Sequence, residues 1–169
     1  MSAYKNIKGG KELDAFLKTL PAKVEKNIMR SALRQGANKI RDKAKENAPV
    51  AAPNSENARL YGGYFGALKD SIRIGAKRAR GRKIIVSVKA GGKTKKGADV
   101  FYAHMIEFGV AAHGVKRGAS RKSGRGQDGR LHPGFPAKPY MRPALDSEAN
   151  AAIVAVGNQI RKRLTAHGI

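Results

Sequence analysis

Between Pro21 and Ala48 apolar residues return every three to five positions, at Val24, Ile28, Ala32 and Leu33, Ala37, Ile40, Ala44 and Ala48. That is the period of an amphipathic helix and not of a strand. Pro21 suits the first helical position, where its missing N–H has no intrahelical partner to lose. Pro49 ends the run by disfavouring helical geometry in the residue before it. At about 1.5 Å per residue the rod is about 42 Å long. Its other face carries Lys23, Lys26, Arg30, Arg34, Lys39, Arg41, Lys43 and Lys45 against Glu25, Asp42 and Glu46. Upstream, residues 1–8 read as a loose tail, and Lys11 to Leu20 predicts a short helix with Leu13, Phe16, Leu17 and Leu20 on one face. The Thr19-Leu20-Pro21 turn joins the two as an αα-hairpin.

Past Pro49 the pattern changes. Residues 49–66 are rich in Pro, Asn and Gly, with Tyr61, Tyr64 and Phe65 among them, and read as a loop. From Leu68 the period falls to two. Ile72 and Ile74, then Ile84, Val86 and Val88, alternate with polar or small residues as in half-buried strands. The basic turn GAKRARGR joins these two as an antiparallel hairpin, and GGKTKKG is a second basic turn. Asp99 to Phe108 predicts a third strand that passes into a helical turn near His104. Three strands on short turns make a meander, and the long helix is expected to cover it.

Residues 110–135 form a Gly/Ser/Arg-rich insertion with Lys116, Arg117, Arg121, Lys122, Arg125 and Arg130 against the single acid Asp128. It has too little apolar content to pack, so flexibility in isolation is expected. A last helix starts near Arg142-Pro143, with Leu145, Ala149, Ala152 and Ile153, Val156, Ile160 and Leu164 as its stripe and Gly168 as its stop. Asp146 and Glu148 at its start, and Arg161, Lys162 and Arg163 at its end, match the helix dipole. The order α-α-β-β-β-α is an α+β architecture, expected to form one domain over residues 1–169 with helices packed on a small antiparallel sheet.

Charge sharpens the picture. There are 35 basic and 12 acidic residues, a net charge of +23, and such a field draws nucleic acid, acidic protein surfaces or anionic membrane. Cys is absent, which removes disulfides, thiolate catalysis and Cys-based zinc sites. No apolar run approaches the ~20 residues of a membrane span, and the first residues lack a signal-peptide core. A soluble intracellular chain with no membrane partner is expected.

No catalytic constellation emerges. His104, His113, His132 and His167 are far apart, and Asp99, Glu107 and Asp128 are the only acids between Ile72 and Pro143. His104 and Glu107 have the i,i+3 spacing of a metal pair, but one His and one Glu are read as a partly buried pair beside a strand end. Gly91-Gly92-Lys93-Thr94 lacks the spacing and following helix of a phosphate loop. Ser71, Ser87 and Ser147 have no evident base. The expectation is no enzyme, no cofactor and no metal. The basic turns and insertion suit phosphate contacts, yet no helix-turn-helix, zinc finger or stacking strand is present. Any nucleic acid would be held by its backbone. Tyr64 and Phe65 are candidate partner contacts, with anchoring of their own loop as the plainer account.

Four stretches, in order, carry a family resemblance: Gly9 to Val50, with its helix, Leu-Pro, long basic helix and Ala-Pro-Val; GALKDSIRI at Gly66–Ile74; YAHMIEFG at Tyr102–Gly109; and PAKPYMRPAL at Pro136–Leu145. Together they resemble the tail-component or tail-completion family of long-tailed double-stranded DNA phages and prophages, related to minor tail protein Z. The chain departs in having Tyr140 where the family usually has Phe, Ala51-Ala52-Pro53 in place of Thr-Gly, and a long basic insertion.

The resemblance implies a structural virion protein of the neck and tail, made in the host cytoplasm. It would form a homo-oligomeric ring, commonly six-fold, at the head-proximal end of the tail. Its partners would be the tail terminator, the tail tube and head-closure or connector proteins, with genomic duplex DNA passing through the ring. Tyr102, Glu107, Phe108 and Gly109 are then architectural, closing the third strand at the sheet edge. Arg142 is either a helix-cap charge or a salt-bridge partner of Glu107 or a neighbouring subunit. For the insertion, protein contact is favoured over DNA contact. The alternative function is a basic protein that binds nucleic acid without reading its sequence.

Overall fold

A computed structural model describes residues 9–20, 22–50, 64–77, 84–114 and 131–166. Among these the order is α1 (Gly10–Thr19), α2 (Ala22–Asn47), α3 (Ala67–Ser71), β1 (Arg73–Lys77), β2 (Ile85–Lys89), β3 (Gly92–Lys93), β4 (Asp99–Val100), α4 (Ala103–Phe108), β5 (His113–Gly114), β6 (Leu131–His132) and α5 (Met141–Ala166). The class is α+β, as the hydrophobic pattern implies. The tail at 1–8, Pro21, residues 51–63 of the expected loop with Tyr61, residues 78–82 of the expected turn with Lys83, residues 115–130 and residues 167–169 lie outside the described residues. Gly75–Lys77, expected to begin that turn, belongs to strand β1.

The sheet differs from the expected meander. Among the described residues there are three separate two-stranded pairings, β1 with β2, β3 with β4 and β5 with β6. Leu68–Ser71 is helical because Ala67, Leu68, Ser71 and Ile72 bury together at steps of three and four, and Ser71 Oγ donates to Leu68 O at 2.7 Å. The third apolar segment is a strand only at Asp99–Val100. After it Val100, Ala103 and Glu107, again three and four apart, are the buried positions, so the chain turns helical.

The chain divides into two compact units, one of Met1–Ile40, Ile74–Ser87 and Ala149–Ile169, the other of Arg41–Arg73 and Val88–Glu148. In the first, Leu17 of α1, Ile28 and Ala32 of α2 and Ile160 of α5 form a buried cluster, flanked by Leu13, Leu20, Val24, Met29, Val156 and Leu164. Buried Gly36 lets α2 and α5 close up: a Cβ there would sit 2.7 Å from Val156 Cγ2 and 2.9 Å from Ala152 O. In the second unit Ala44, Ala48, Ala67, Leu68, Ile72, Ala98, Val100, Ala103, Tyr140 and Ala144 form the core. Ile40 is only half-buried, whereas Ile28, Ala32 and Ala44 are fully enclosed. A row of every fourth residue precesses by about 40° per step around a helix, so α2 contributes to two clusters and not to one continuous stripe. In α5 the buried row is Ala144, Ala152 and Ile160, which leaves the expected Leu145 40 % exposed and, of the alternatives Ala152 and Ile153, Ile153 on the outside.

Candidate functional site

The second unit is organised by a clasp between α4 and the chain entering α5. Val110 and Phe135 exchange two backbone hydrogen bonds of 2.9 Å, and Lys138 N–H donates to Ile106 O at 2.8 Å. Gly109 sits between them with φ 74°, and a Cβ there would lie 2.7 Å from Ala137 N. Both the left-handed backbone and the close approach require glycine. At the far end the Glu107 carboxylate accepts three backbone N–H groups at the start of α5: Tyr140 at 2.8 Å, Met141 at 2.9 Å and Arg142 at 3.1 Å. These are amides that a helix start leaves without intrahelical acceptors, and the positive end of the helix dipole favours the anion. Tyr140 is fully buried, and its hydroxyl donates to Ala103 O at 3.2 Å.

The electrostatics follow. Burial alone would raise the Glu107 pKa, but the Met141, Tyr140 and Arg142 N–H groups and the Arg142 charge outweigh it and hold the carboxyl below its ordinary value. The Tyr140 phenol is pushed up to about 12 by burial first, then by the Glu107 and Tyr102 charges. Burial, with Tyr64 second, also raises Tyr102.

A second knot holds α3 to the turn after β2. Buried Ser71 Oγ accepts Gly91 N–H at 3.0 Å, and the Arg73 guanidinium donates to Ser71 O at 3.0 Å and Gly91 O at 2.5 Å. Nearby, Tyr64 donates to Asp70 at 2.7 Å while Lys96 lies 4.5 Å from the Tyr64 ring centre and 3.5 Å from Asp70. The Asp70 pKa is lowered, first by the Tyr64 hydrogen bond, then against some burial by Lys96 and Lys45.

Of the residues expected to contact partners, Tyr64 is half-buried and engaged by Asp70 and Lys96. Phe65 is 47 % exposed. Arg142 caps through its backbone, and its guanidinium lies over the Phe108 ring, 5.6 Å from the centre. Among the described residues no side-chain ion pair joins Arg142 to Glu107, though the Arg142 charge acts on the carboxylate at longer range. Lys116, Arg117, Arg121, Lys122, Arg125 and Arg130 lie outside the described residues. The insertion's two ends are paired, His113 opposite His132 and Gly114 opposite Leu131.

His104 is exposed while Glu107 is buried, so they are not the half-buried pair expected. Nor does Glu107 close a strand: it ends a helix and caps another. Among the described residues no three His, Asp or Glu side chains gather as a metal site.

What sequence reasoning missed is the set of aromatics the clasp leaves outside: Phe101 (49 % exposed), Phe108 (64 %) and Phe135 (40 %). For Phe108 and Phe135 the signal is in the chain, since each lies beside a glycine and off the three-and-four spacing of its buried neighbours.

No curated protein and no solved structure matches the chain. A family model described as "Bacteriophage HK97-gp10, putative tail-component" matches residues 11–109, from α1 through α4 to the clasp glycine. The chain belongs to this family of bacteriophage tail components.

Proposed function

We propose that the protein is a non-catalytic structural component of the neck. It completes the head-proximal end of the tail as a homo-oligomeric ring, six-fold in the simplest assembly, around the channel used by the genome. Its neighbours are the tail terminator, the tail tube and the head-closure proteins, and its final location is the virion. The observation that carries this reading is the family match over residues 11–109. The exposed Phe65, Phe101, Phe108 and Phe135 support it, since exposed aromatics are what docking surfaces bury. The clasp supports it too: with α4 tied by backbone bonds to the segment entering α5 and by the Glu107 carboxylate to α5 itself, Phe108 and Phe135 are held on a rigid frame and lose little freedom on docking.

The test is to mix purified protein with tail tubes, measure the mass before and after, and image the tube ends by negative stain. Density at the head-proximal end alone is the expected result, and its absence rejects the assignment. Deletion of residues 116–130 is expected to leave a folded protein that no longer completes tails; full infectivity would remove the insertion from the docking surface.

The net charge of +23 favours a second reading, backbone-directed binding of nucleic acid. Its signature is an affinity for duplex DNA that falls steeply with salt.

A further inference from the structure

We propose that the paired α2 and α5 helices of the first unit carry a phosphate-backbone site for duplex nucleic acid, centred on Arg30, Arg34 and Arg163. This site rests on the nucleic-acid reading and gives it a location, wherever in a tail the protein sits.

Three observations carry it. The first is a row of like charges. Lys26, Arg30 and Arg34 stand four apart on α2, so neighbouring members repel across one turn. Arg30 and Arg34 are exposed, and lie about 200° around the helix from the buried Ile28 and Ala32.

The second is the delivery of a further cation to the same place. Ser31, between Arg30 and Arg34 in sequence, accepts Gln159 Nε2 at 2.8 Å and Arg163 Nε at 3.3 Å through its hydroxyl. Arg163 is thus held at Ser31, one residue from Arg30 and three from Arg34 in sequence. A charge at the end of α5 offsets the helix dipole wherever it points; the Ser31 bond is what directs it to its own kind.

The third is the lack of compensation. Residues 26–41 of α2 and 149–166 of α5 contain no acid. The ion pairs among the described residues join Lys18 to Asp14, Arg41 to Asp42, Lys43 to Glu46 and Lys96 to Asp70, and leave these three arginines out. An anion settling on this face removes the repulsion, and the planar guanidinium fork suits a phosphate. Duplex backbone fits better than an acidic protein. The other side chains within about 80° of the Arg30–Arg34 row between residues 27 and 41 are Asn27, Ser31, Leu33, Ala37, Asn38 and Arg41. This is a mostly polar set whose one large apolar member, Leu33, is half-buried and offers less than the exposed anchor protein interfaces centre on.

The experiment uses the full chain and a labelled random-sequence duplex of about one and a half helical turns or more, titrated at several salt concentrations. Arg30→Gln/Arg34→Gln/Arg163→Gln should bind at least tenfold more weakly. Its salt slope should become shallower by about 0.9 for each phosphate that the variant no longer neutralises. Arg30→Lys/Arg34→Lys/Arg163→Lys should keep most of the slope. Lys89→Gln/Lys93→Gln/Lys95→Gln removes equal charge elsewhere and should change little. Thermal melts of all three variants check folding, and the lysine variant keeps the test valid if the glutamine variant melts early. An unchanged slope in the glutamine variant, or equal weakening in the Lys89 set, overturns the proposal. So does loss of tail-tube capture with duplex binding intact, which would assign the face to a protein; retained tube capture with lost duplex binding supports the proposal.

Discussion

The carboxylate of Glu107 accepts the backbone N–H of Tyr140 at 2.8 Å, across thirty-three residues of chain. This places the end of the family-matched region against the start of α5, which lies beyond it. The same carboxylate takes two further amides, so one side chain supplies the cap that no local Ser, Thr, Asn or Asp provides. Glu107→Ala leaves three helix-start amides without their acceptor. The expected cost is about 1–3 kcal/mol, or a loss of several °C in Tm at about 2–4 °C per kcal/mol. Glu107→Gln should fall between wild type and alanine; urea and thermal melts check both.

Stability should depend on pH at both ends of the scale. Glu107 has a folded pKa below its ordinary value of 4.5, so its contribution is complete above that value and is lost as pH falls through the folded pKa. Tyr140 has the opposite sign of shift: raised from 10.0 to about 12, it contributes fully below pH 10 and loses that contribution as pH climbs towards 12. Melts across pH should show Glu107→Gln with a flatter acid limb and Tyr140→Phe with a flatter alkaline limb. Tyr140→Phe also loses the bond to Ala103 O, about 1 kcal/mol at neutral pH.

Two helix glycines should respond in opposite ways. Alanine is the better helix former by about 1 kcal/mol. At Gly157 a Cβ meets nothing within 4 Å, and Gly157→Ala is expected to raise Tm. At Gly36 the Cβ would press on Val156 Cγ2 at 2.7 Å and on the Ala152 carbonyl at 2.9 Å. The methyl can swing aside but the backbone cannot, so Gly36→Ala should destabilise by about 1–3 kcal/mol.

Ser71 offers a further buried hydrogen bond to test. Ser71→Ala strands the Gly91 amide, whose bond to Ser71 Oγ is 3.0 Å, at an expected cost of about 1–3 kcal/mol. Cysteine, with a weaker acceptor, should recover little of it. Amide exchange at Gly91 distinguishes rupture of this bond from general unfolding, since only the former is local.

Much of this was legible in the chain. The positions of α1, α2 and α5 follow from apolar spacing, because each helix needs one buried face and long periodic runs declare it. Strand β2 follows from the alternation at Ile84–Val88, whereas β1 lies later than the alternation at Ile72–Ile74 implied, running through Gly75–Lys77, which read as turn. The short elements do not: in LKDSIRI and DVFYAHMIEF a few apolar residues satisfy both periods, and a run of that length leaves the choice to its surroundings.

By itself the sequence determined the α+β class, one short and two long helices, the excess of cations and, through four ordered motifs, the family. Those are properties of composition and local spacing, which need no knowledge of distant neighbours. Only the tertiary structure decided what Glu107, Tyr140 and Ser71 do, because their partners are backbone amides and carbonyls, which carry no mark in the side-chain sequence. It also decided which cations stand together. Arg163 meets Ser31 across 132 positions, and only packing at Gly36 and Ala152 brings those helices close enough for one hydroxyl to hold it.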